Sequence, residues 1–411
     1  MLVKTDKNCT LWPDYVAVIG GGRWARVLLD VLCSITPEEV KLYVYSPRNF
    51  TAMAEWVLNR GLEKRIQVNS DYSKTVLAAR GSVIIANSAY DHERAIQWAL
   101  HQRLPVLVEK PATPNFNSTQ RMVALANSKQ TYFATAHVFL FASYIEAFAK
   151  LVSNQGSIVS IHMLWADPKI ESRYGEEKKY DPGLPIYADL LPHILSILST
   201  IIDIPSGNLE RIEFLRGGAC IKINLFFDQI PCVIEIARNV NSRQRIIKVE
   251  TEMKVSTLDF GFEPGFIYFD GHALCGDKEW DCKPKPVASM LTAFLKTSAG
   301  YVYDARLDNS IGLNISQFID QVAIHYQAAL WAWLKRELKN HTEDMGIDIN
   351  YALSEIMQMN DSNSLVSLDR RINYCYKNLK KLIELSNNFS LISIDEAIEL
   401  IIKKGKYSAY L

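Results

Sequence analysis

The stretch YVAVIGGGRWARVLLDVLCSI, residues 15–35, decides the fold of the first part of the chain. A short run rich in β-branched residues ends in three glycines, and apolar residues then recur at helical spacing, which predicts a strand, a turn and a helix. Gly20 suits a tight turn, Gly22 allows a phosphate to approach the backbone, and Ala25 lets the helix pack closely on the strand. The pattern therefore predicts a dinucleotide-binding turn.

The predicted helix begins with Arg23 and Trp24, and N–H groups in a first helical turn bind phosphate because they have no acceptor within the helix. The next predicted strand, KLYVYS, indicates which dinucleotide is expected. Sites that prefer NAD usually place an acidic residue after this strand, on the ribose 2′-hydroxyl. This chain has Ser46 and Arg48 there. A hydroxyl and a guanidinium suit a 2′-phosphate, so NADP is favoured over NAD, with a solvated loop arginine as the alternative.

Length and composition exclude several classes of function. A chain of 411 residues predicts two domains with an appendage. Lys+Arg and Asp+Glu both total 45, so no net charge favours nucleic acid or an anionic membrane. No apolar run is long enough for a signal peptide or a membrane span. The seven cysteines form no CxxC pair, which predicts reduced thiols in a cytoplasmic protein and no metal site.

The order of predicted elements divides the chain into three parts. Strands alternate with helices over residues 12–136, which predicts a parallel sheet and an α/β Rossmann domain. Strand-like runs then follow one another without helices, so residues 137–345 are expected to form an α+β domain with a large, open, mostly antiparallel sheet. Residues 346–411 are predicted to be a helical carboxyl-terminal extension, with a capping box at Ser393–Glu396.

Residues 83–113 contain the run ANSAYDH, from Ala86 to His92, and the tripeptide Glu109-Lys110-Pro111. Both resemble motifs of the Gfo/Idh/MocA oxidoreductases, the glucose–fructose oxidoreductase and inositol dehydrogenase family. In the first motif, Asn87 and Ser88 replace the usual Thr-Pro. The second motif matches the family without change. The resemblance implies that cofactor-binding residues come from both motifs: Asn87, Ser88, His92, Glu109 and Lys110.

The family's remaining signature is a glycine cluster followed by an Asp and a His four residues apart. Here DPGLPIYADLLPHIL supplies only Gly183 of the three glycines, then Asp189 and His193, which helical spacing places on one face. The resemblance implies that Lys110 holds the reacting oxygen, that His193 is the general acid/base, and that Asp189 orients it or shares its proton. Carbonyl reduction leaves an alkoxide that needs a proton, and a histidine titrates near neutrality.

The sequence departs from the family in ways that leave alternatives open. Phe139 and Leu140 occupy places where arginines are common, which predicts a less polar pocket wall. That change would suit an NADPH-dependent cyclic imine reductase instead of an enzyme acting on a carbonyl or secondary alcohol. A non-catalytic, NADP-binding regulator is a third possibility. The resemblance also implies a small-molecule substrate bound between two domains and a homo-oligomer, either a dimer or a tetramer.

Overall fold

The computed structural model describes residues 12–342, except 74, 76–79, 169, 174–175, 178–184 and 216–219. These residues form two compact units. The first contains described residues up to 149, together with Leu195–Thr200 and Asp277–Gln317. The second contains Lys150–Ile194, Ile201–Gly276 and the described residues after 317. The predicted domain boundaries, 12–136, 137–345 and 346–411, stay predictions.

The first unit is built on a six-stranded parallel sheet. Its strands are β1 (Tyr15–Ile19), β2 (Lys41–Tyr45), β3 (Ile66–Asn69), β4 (Gly81–Ile85), β5 (Val106–Glu109) and β6 (Phe133–Ala136). They lie in the order β3-β2-β1-β4-β5-β6, and every paired neighbour is parallel. Because β1 and β4 are central, all five residues of each are buried. The strand order reverses between β1 and β4, and open α/β sheets bind ligands at the carboxyl ends of such strands.

Helices cover the parallel strands of the first unit. Those that follow its strands are α1 (Arg23–Ile35), α2 (Phe50–Asn59), α3 (His92–His101) and α4 (Phe116–Ser128). The next helix, α5 (Ser143–Ser153), leads out of the sheet. The apolar residues of α1, including Leu28 and Leu32, are buried in the core beside β1 and β2. The alternation of strand and helix predicted from the sequence is therefore confirmed.

The second unit contains an eight-stranded, mostly antiparallel sheet. Its strands are β7 (Ile158–Pro168), β10 (Gly207–Leu215), β11 (Cys220–Phe227), β12 (Ile230–Val240), β13 (Gln244–Thr251), β14 (Val255–Asp259), β15 (Phe266–Phe269) and β16 (His272–Cys275), and a separate hairpin is formed by β8 (Ser172–Arg173) and β9 (Glu176–Glu177). The order is β10-β11-β12-β7-β13-β14-β15-β16, and only β12 and β7 pair in parallel among these described strands. The predicted fold class is confirmed for both units.

Three further helices complete the described residues: α6 (Ile186–Leu198), α7 (Pro286–Ser298) and α8 (Asn309–Thr342). Helix α6 is buried on nearly every side. The predicted extension 346–411 and Gly183 lie outside the described residues. Among the helices that the structure describes, none is long and apolar enough to cross a membrane.

Helix α7 belongs to the first unit although it follows the second sheet in the chain. Phe294 is fully buried in the same cluster as Leu28 and Leu32, and its ring stacks on Tyr132 at 6.2 Å between centroids. We expect Phe294→Ala to lower the free energy of unfolding by about 3–5 kcal/mol, because it leaves a cavity in the core of the first unit. Urea unfolding followed by circular dichroism measures the change.

The matched control is Leu58→Ala, since the Leu58 side chain on α2 is 62% exposed. Its effect on the free energy of unfolding is expected to stay within about 0.5 kcal/mol. Equal effects of the two substitutions would contradict the assignment of α7 to the core of the first unit.

Candidate active site

The turn after β1 brings two strand ends closer together than any side chain would allow. Gly20 has a φ of +152°, and its N–H donates to the Tyr45 carbonyl oxygen at 2.9 Å. A Cβ at this position would lie 2.5 Å from the carbonyl oxygen of Ala86, just past β4. Glycine at position 20 therefore lets the carboxyl ends of β1, β2 and β4 meet at the reversal of strand order.

The two glycines that follow make different contacts. A Cβ on Gly21 would collide with Oγ of Ser46, whereas a Cβ on Gly22 would meet nothing within 4 Å. Gly22 is the N-cap of α1, no side chain caps the helix, and its first turn has no acidic residue. The helix start at Arg23 and Trp24 thus offers N–H groups and a positive dipole end to an anion. The sequence analysis did not include Gly21 among the site residues, although the three consecutive glycines at 20–22 pointed to it.

Two buried polar atoms around this turn have no hydrogen-bond partner in the described structure. They are Oγ of Ser46, which follows β2, and Oδ1 of Asn87, which follows β4. An unsatisfied buried polar atom costs about 1–3 kcal/mol. Both atoms lie next to the glycine turn, where a bound dinucleotide would provide hydrogen-bonding groups. The residues present therefore fit the predicted cofactor.

Arg48 lies two residues beyond Ser46 and forms an ion pair with Asp91. Its Nη2 is 3.1 Å from Oδ2 of Asp91, and the two side chains are 67% and 37% exposed. Ser88 is partly exposed and precedes the short 3₁₀ turn Ala89–Asp91. An exposed guanidinium past β2 suits a 2′-phosphate, but no local sequence signal predicts the carboxylate that lies beside it.

His92 joins the two motifs that carry the family resemblance. It is buried, with Nδ1 2.9 Å from the Pro111 carbonyl oxygen and Nε2 3.3 Å from the Asn87 carbonyl oxygen. Burial lowers its pKa, which favours the neutral ring. A neutral ring donates from one nitrogen, and the shorter contact indicates Nδ1 as the donor. In this position His92 holds the loop after β5 against the loop after β4.

Lys110 and Glu109 stand at the carboxyl end of β5, the neighbour of β4. Both are partly buried. Burial raises the pKa of the Glu109 carboxyl to about 7, although a hydrogen bond from Trp24 and the nearby Lys110 act in the opposite direction. Trp24 belongs to the first turn of α1, so Glu109 connects the strand that carries Lys110 to the helix that faces the predicted phosphates.

In the second unit, Asp189 and His193 lie one turn apart on α6. Asp189 is in the first turn, where its N–H donates to the Pro185 carbonyl oxygen at 3.1 Å. Its Oδ2 accepts from Nη2 of Arg238 at 2.8 Å, and the Arg238 side chain is only 6% exposed. Removing one member of a pair this buried leaves an uncompensated charge. Arg238 therefore fixes the position of the Asp189 carboxylate.

His193 lies against an aromatic and cationic cluster. Its ring is stacked on Trp165, with centroids 5.7 Å apart and an angle of 11° between the planes. The Arg245 guanidinium lies 3.9 Å from the centroid of the same indole, within the range of a cation–π contact. Arg245 is nearly fully buried and donates to Oδ1 of Asp167 at 3.1 Å. Strand pairing explains the contact, because Trp165 and Arg245 are directly opposite on β7 and β13.

Sequence reasoning missed these arginines. Arg238 lies two residues before the end of β12, and Arg245 is the second residue of β13. Between them, Arg243 pairs with Glu171 and Glu263 at 3.4 Å each. The sequence feature that pointed to them is the segment RNVNSRQR, residues 238–245, which contains all three arginines. Phe139, by contrast, is buried in a 3₁₀ turn of the first unit. The guanidinium groups that contact Asp189 and Trp165 thus come from strands of the second sheet.

Comparisons with known proteins agree with this architecture. Residues 15–137 match the profile of the oxidoreductase family with an NAD-binding Rossmann fold, Gfo/Idh/MocA. No curated protein sequence matches the chain significantly. Among solved structures, UDP-N-acetylglucosamine 3-dehydrogenase from Acidithiobacillus ferrooxidans is similar at 16% identity, with a TM-score of 0.62 over 77% of this chain and 98% of that one.

Two other solved structures show the same two-domain fold. A 3-ketoreductase from Actinomadura kijaniata, in complex with NADP and TDP-benzene, has 14% identity and a TM-score of 0.61 over 76% of this chain and 98% of that one. The dehydrogenase MviM from Clostridium difficile has 12% identity and a TM-score of 0.61 over 75% of this chain and 98% of that one. At such identities the likeness establishes the fold.

The glycine turn, the parallel sheet and the profile match define the class of protein as an NAD(P)-dependent oxidoreductase. The resemblance to the Gfo/Idh/MocA oxidoreductases, predicted from the motifs, is confirmed by the profile match over residues 15–137.

The raised pKa of Glu109 predicts a pH dependence of stability. Below pH 4.5 the carboxyl is protonated in both the folded and the unfolded chain, so it does not change how the free energy of unfolding varies with pH. Between pH 4.5 and about 7 the unfolded chain loses this proton first, so the free energy of unfolding falls as pH rises and then levels off. The decrease should reach about 3 kcal/mol, and Glu109→Gln should remove it. Urea unfolding of the wild type and Glu109→Gln at pH 5 to 8 gives the free energy of unfolding of each protein against pH. If the two plots were parallel, the raised pKa of Glu109 would be contradicted.

Proposed function

We propose that the chain is an NADP-dependent oxidoreductase that interconverts a carbonyl and a secondary alcohol on a small, sugar-like substrate. The observation that carries the proposal is the position of Lys110. It follows β5 at the carboxyl edge of the sheet. The glycine turn, the two buried polar atoms of Ser46 and Asn87, and the uncapped start of α1 lie at the same edge. Ligands of open α/β sheets bind at this edge.

The cofactor would be held by residues of the first unit. The turn at Gly20–Gly22 and the first N–H groups of α1 at Arg23 and Trp24 would bind the pyrophosphate. The remaining groups would surround the two riboses and the nicotinamide: Ser46, Arg48, Asn87, Ser88, His92, Glu109 and Lys110. When bound, the nicotinamide ring supplies or accepts the hydride. NADP is proposed over NAD because Arg48 is largely exposed past β2 and that loop has no acid.

Proton handling is assigned to Lys110, His193 and Asp189. The Lys110 ammonium would donate a hydrogen bond to the substrate oxygen and hold it in place. The His193 imidazole would give a proton to that oxygen during reduction and remove one during oxidation. Since Asp189 accepts from buried Arg238, we assign it an orienting role and not a share of the proton. The sequence allowed either role.

A hydroxyl-bearing or keto-sugar substrate is favoured by two kinds of observation. The similar structures include a sugar-nucleotide 3-dehydrogenase and a 3-ketoreductase. Carboxylates and guanidinium groups form ion pairs on α6 and beside Trp165, the indole on which His193 stacks, and both kinds of group hydrogen-bond to hydroxyls readily. A cytoplasmic location and a homo-oligomer stay predictions from the sequence.

A titration of the purified protein with NADPH and NADH, followed by quenching of tryptophan fluorescence, tests the cofactor assignment. We expect NADPH to bind more tightly than NADH, because only NADPH offers a phosphate to Arg48. Tighter binding of NADH would contradict the proposed preference and point to oxidation of an alcohol. Binding of neither would overturn the enzymatic function and favour a structural or regulatory role.

Lys110→Ala tests the chemical role. We expect turnover of a keto sugar to fall by about 10²–10⁴, since a positioned proton-handling group contributes that much. The NADPH dissociation constant should rise much less, because several other groups also hold the cofactor. The control is Lys64→Ala, because Lys64 is exposed on the surface of the first unit. Unchanged turnover would exclude the proposed role of Lys110.

A separate test compares substrates. Turnover of cyclic imines but not of keto sugars would favour the imine reductase.

A further inference from the structure

An ion pair crosses the end of β1, where the cofactor is proposed to bind. In the sheet, β1 lies between β2 and β4. Arg48 follows β2, and Asp91 ends the 3₁₀ turn that follows β4. Their side chains nonetheless meet at 3.1 Å, so the pair reaches from one neighbour of β1 to the other. Asp91 is the ion-pair partner of Arg48 among the described residues.

We propose that Asp91 determines cofactor specificity by opposing Arg48, so that the preference for NADPH over NADH is limited. The inference rests on the proposed cofactor site. Sites that prefer NAD place a carboxylate on the ribose 2′-hydroxyl, normally from the loop after the second strand. That loop has no acid here, and the spatially adjacent loop after β4 supplies one.

The charges act in opposite directions on the two cofactors. A 2′-phosphate must take the Arg48 guanidinium from Asp91 and then lie near a carboxylate of the same sign, and both effects weaken NADPH binding. A 2′-hydroxyl has no charge to repel, and it can donate a hydrogen bond to the Asp91 carboxylate. The pair is well exposed to water, so it can open without a large cost.

Asp91→Asn tests the inference because it removes the charge and keeps the shape. In fluorescence titrations of the full chain, we expect the ratio of the NADH and NADPH dissociation constants to rise by about three- to fivefold in favour of NADPH. Calorimetry with 2′,5′-ADP and 5′-AMP, which differ only in the 2′-phosphate, should show the same shift, which would place the effect at that phosphate. Adding Arg48→Gln to Asp91→Asn should remove the gain, since the phosphate then has no guanidinium to bind.

The matched control is Glu93→Gln. Glu93 lies two residues from Asp91 and pairs with Arg121 at 2.9 Å, so it loses the same charge from another surface ion pair. For Glu93→Gln, the ratio of the NADH and NADPH dissociation constants should equal that of the wild type. Equal gains for both cofactors in Asp91→Asn, or no gain, would overturn the inference while leaving the proposed function intact. A wild-type protein that binds neither nucleotide would overturn the proposed function itself, and the inference with it.

Discussion

The approach of Gly20 to the Ala86 carbonyl is the constraint on which the candidate active site depends. Strands β1 and β4 pair in register up to Ile19 and Ile85, so their chains leave the sheet side by side. Any side chain at position 20 would force them apart. The loop after β4 is in turn tied by His92 to the loop that carries Lys110. A single missing Cβ thus sets the distance between the proposed phosphate site and the proposed catalytic lysine.

The second unit positions its candidate residues with charge instead of close backbone packing. Arg238 and Arg245 are buried in ion pairs with Asp189 and Asp167. Apolar residues of similar volume would often stabilise such a core equally well or better, so stability alone does not explain these pairs. Their evident effect is geometric, because one fixes Asp189 and the other braces the indole on which His193 stacks.

Much of the fold could be predicted from the sequence because its signals are local. The strand Tyr15–Ile19, the turn after it and helix α3 follow from periodicity and glycine placement within about twenty residues. The contacts that complete the site are not local. Ser46 packs against Gly21, and Arg238 reaches Asp189 across 49 positions of the chain. Such contacts depend on strand order and register, which a single sequence does not display.

The Arg48–Asp91 pair shows how this limit affects a functional prediction. The usual rule takes cofactor preference from the loop after the second strand, since that loop follows in the chain. In this sheet the proposed ribose site would be bordered by two loops, because β1 has β2 on one side and β4 on the other. Arg48 alone would favour a phosphate, whereas the Arg48–Asp91 pair has no net charge. With Asp91 in its proposed role, cofactor preference would depend on the strand order as well as on the loop after the second strand, because charges on both neighbouring loops would face the ribose.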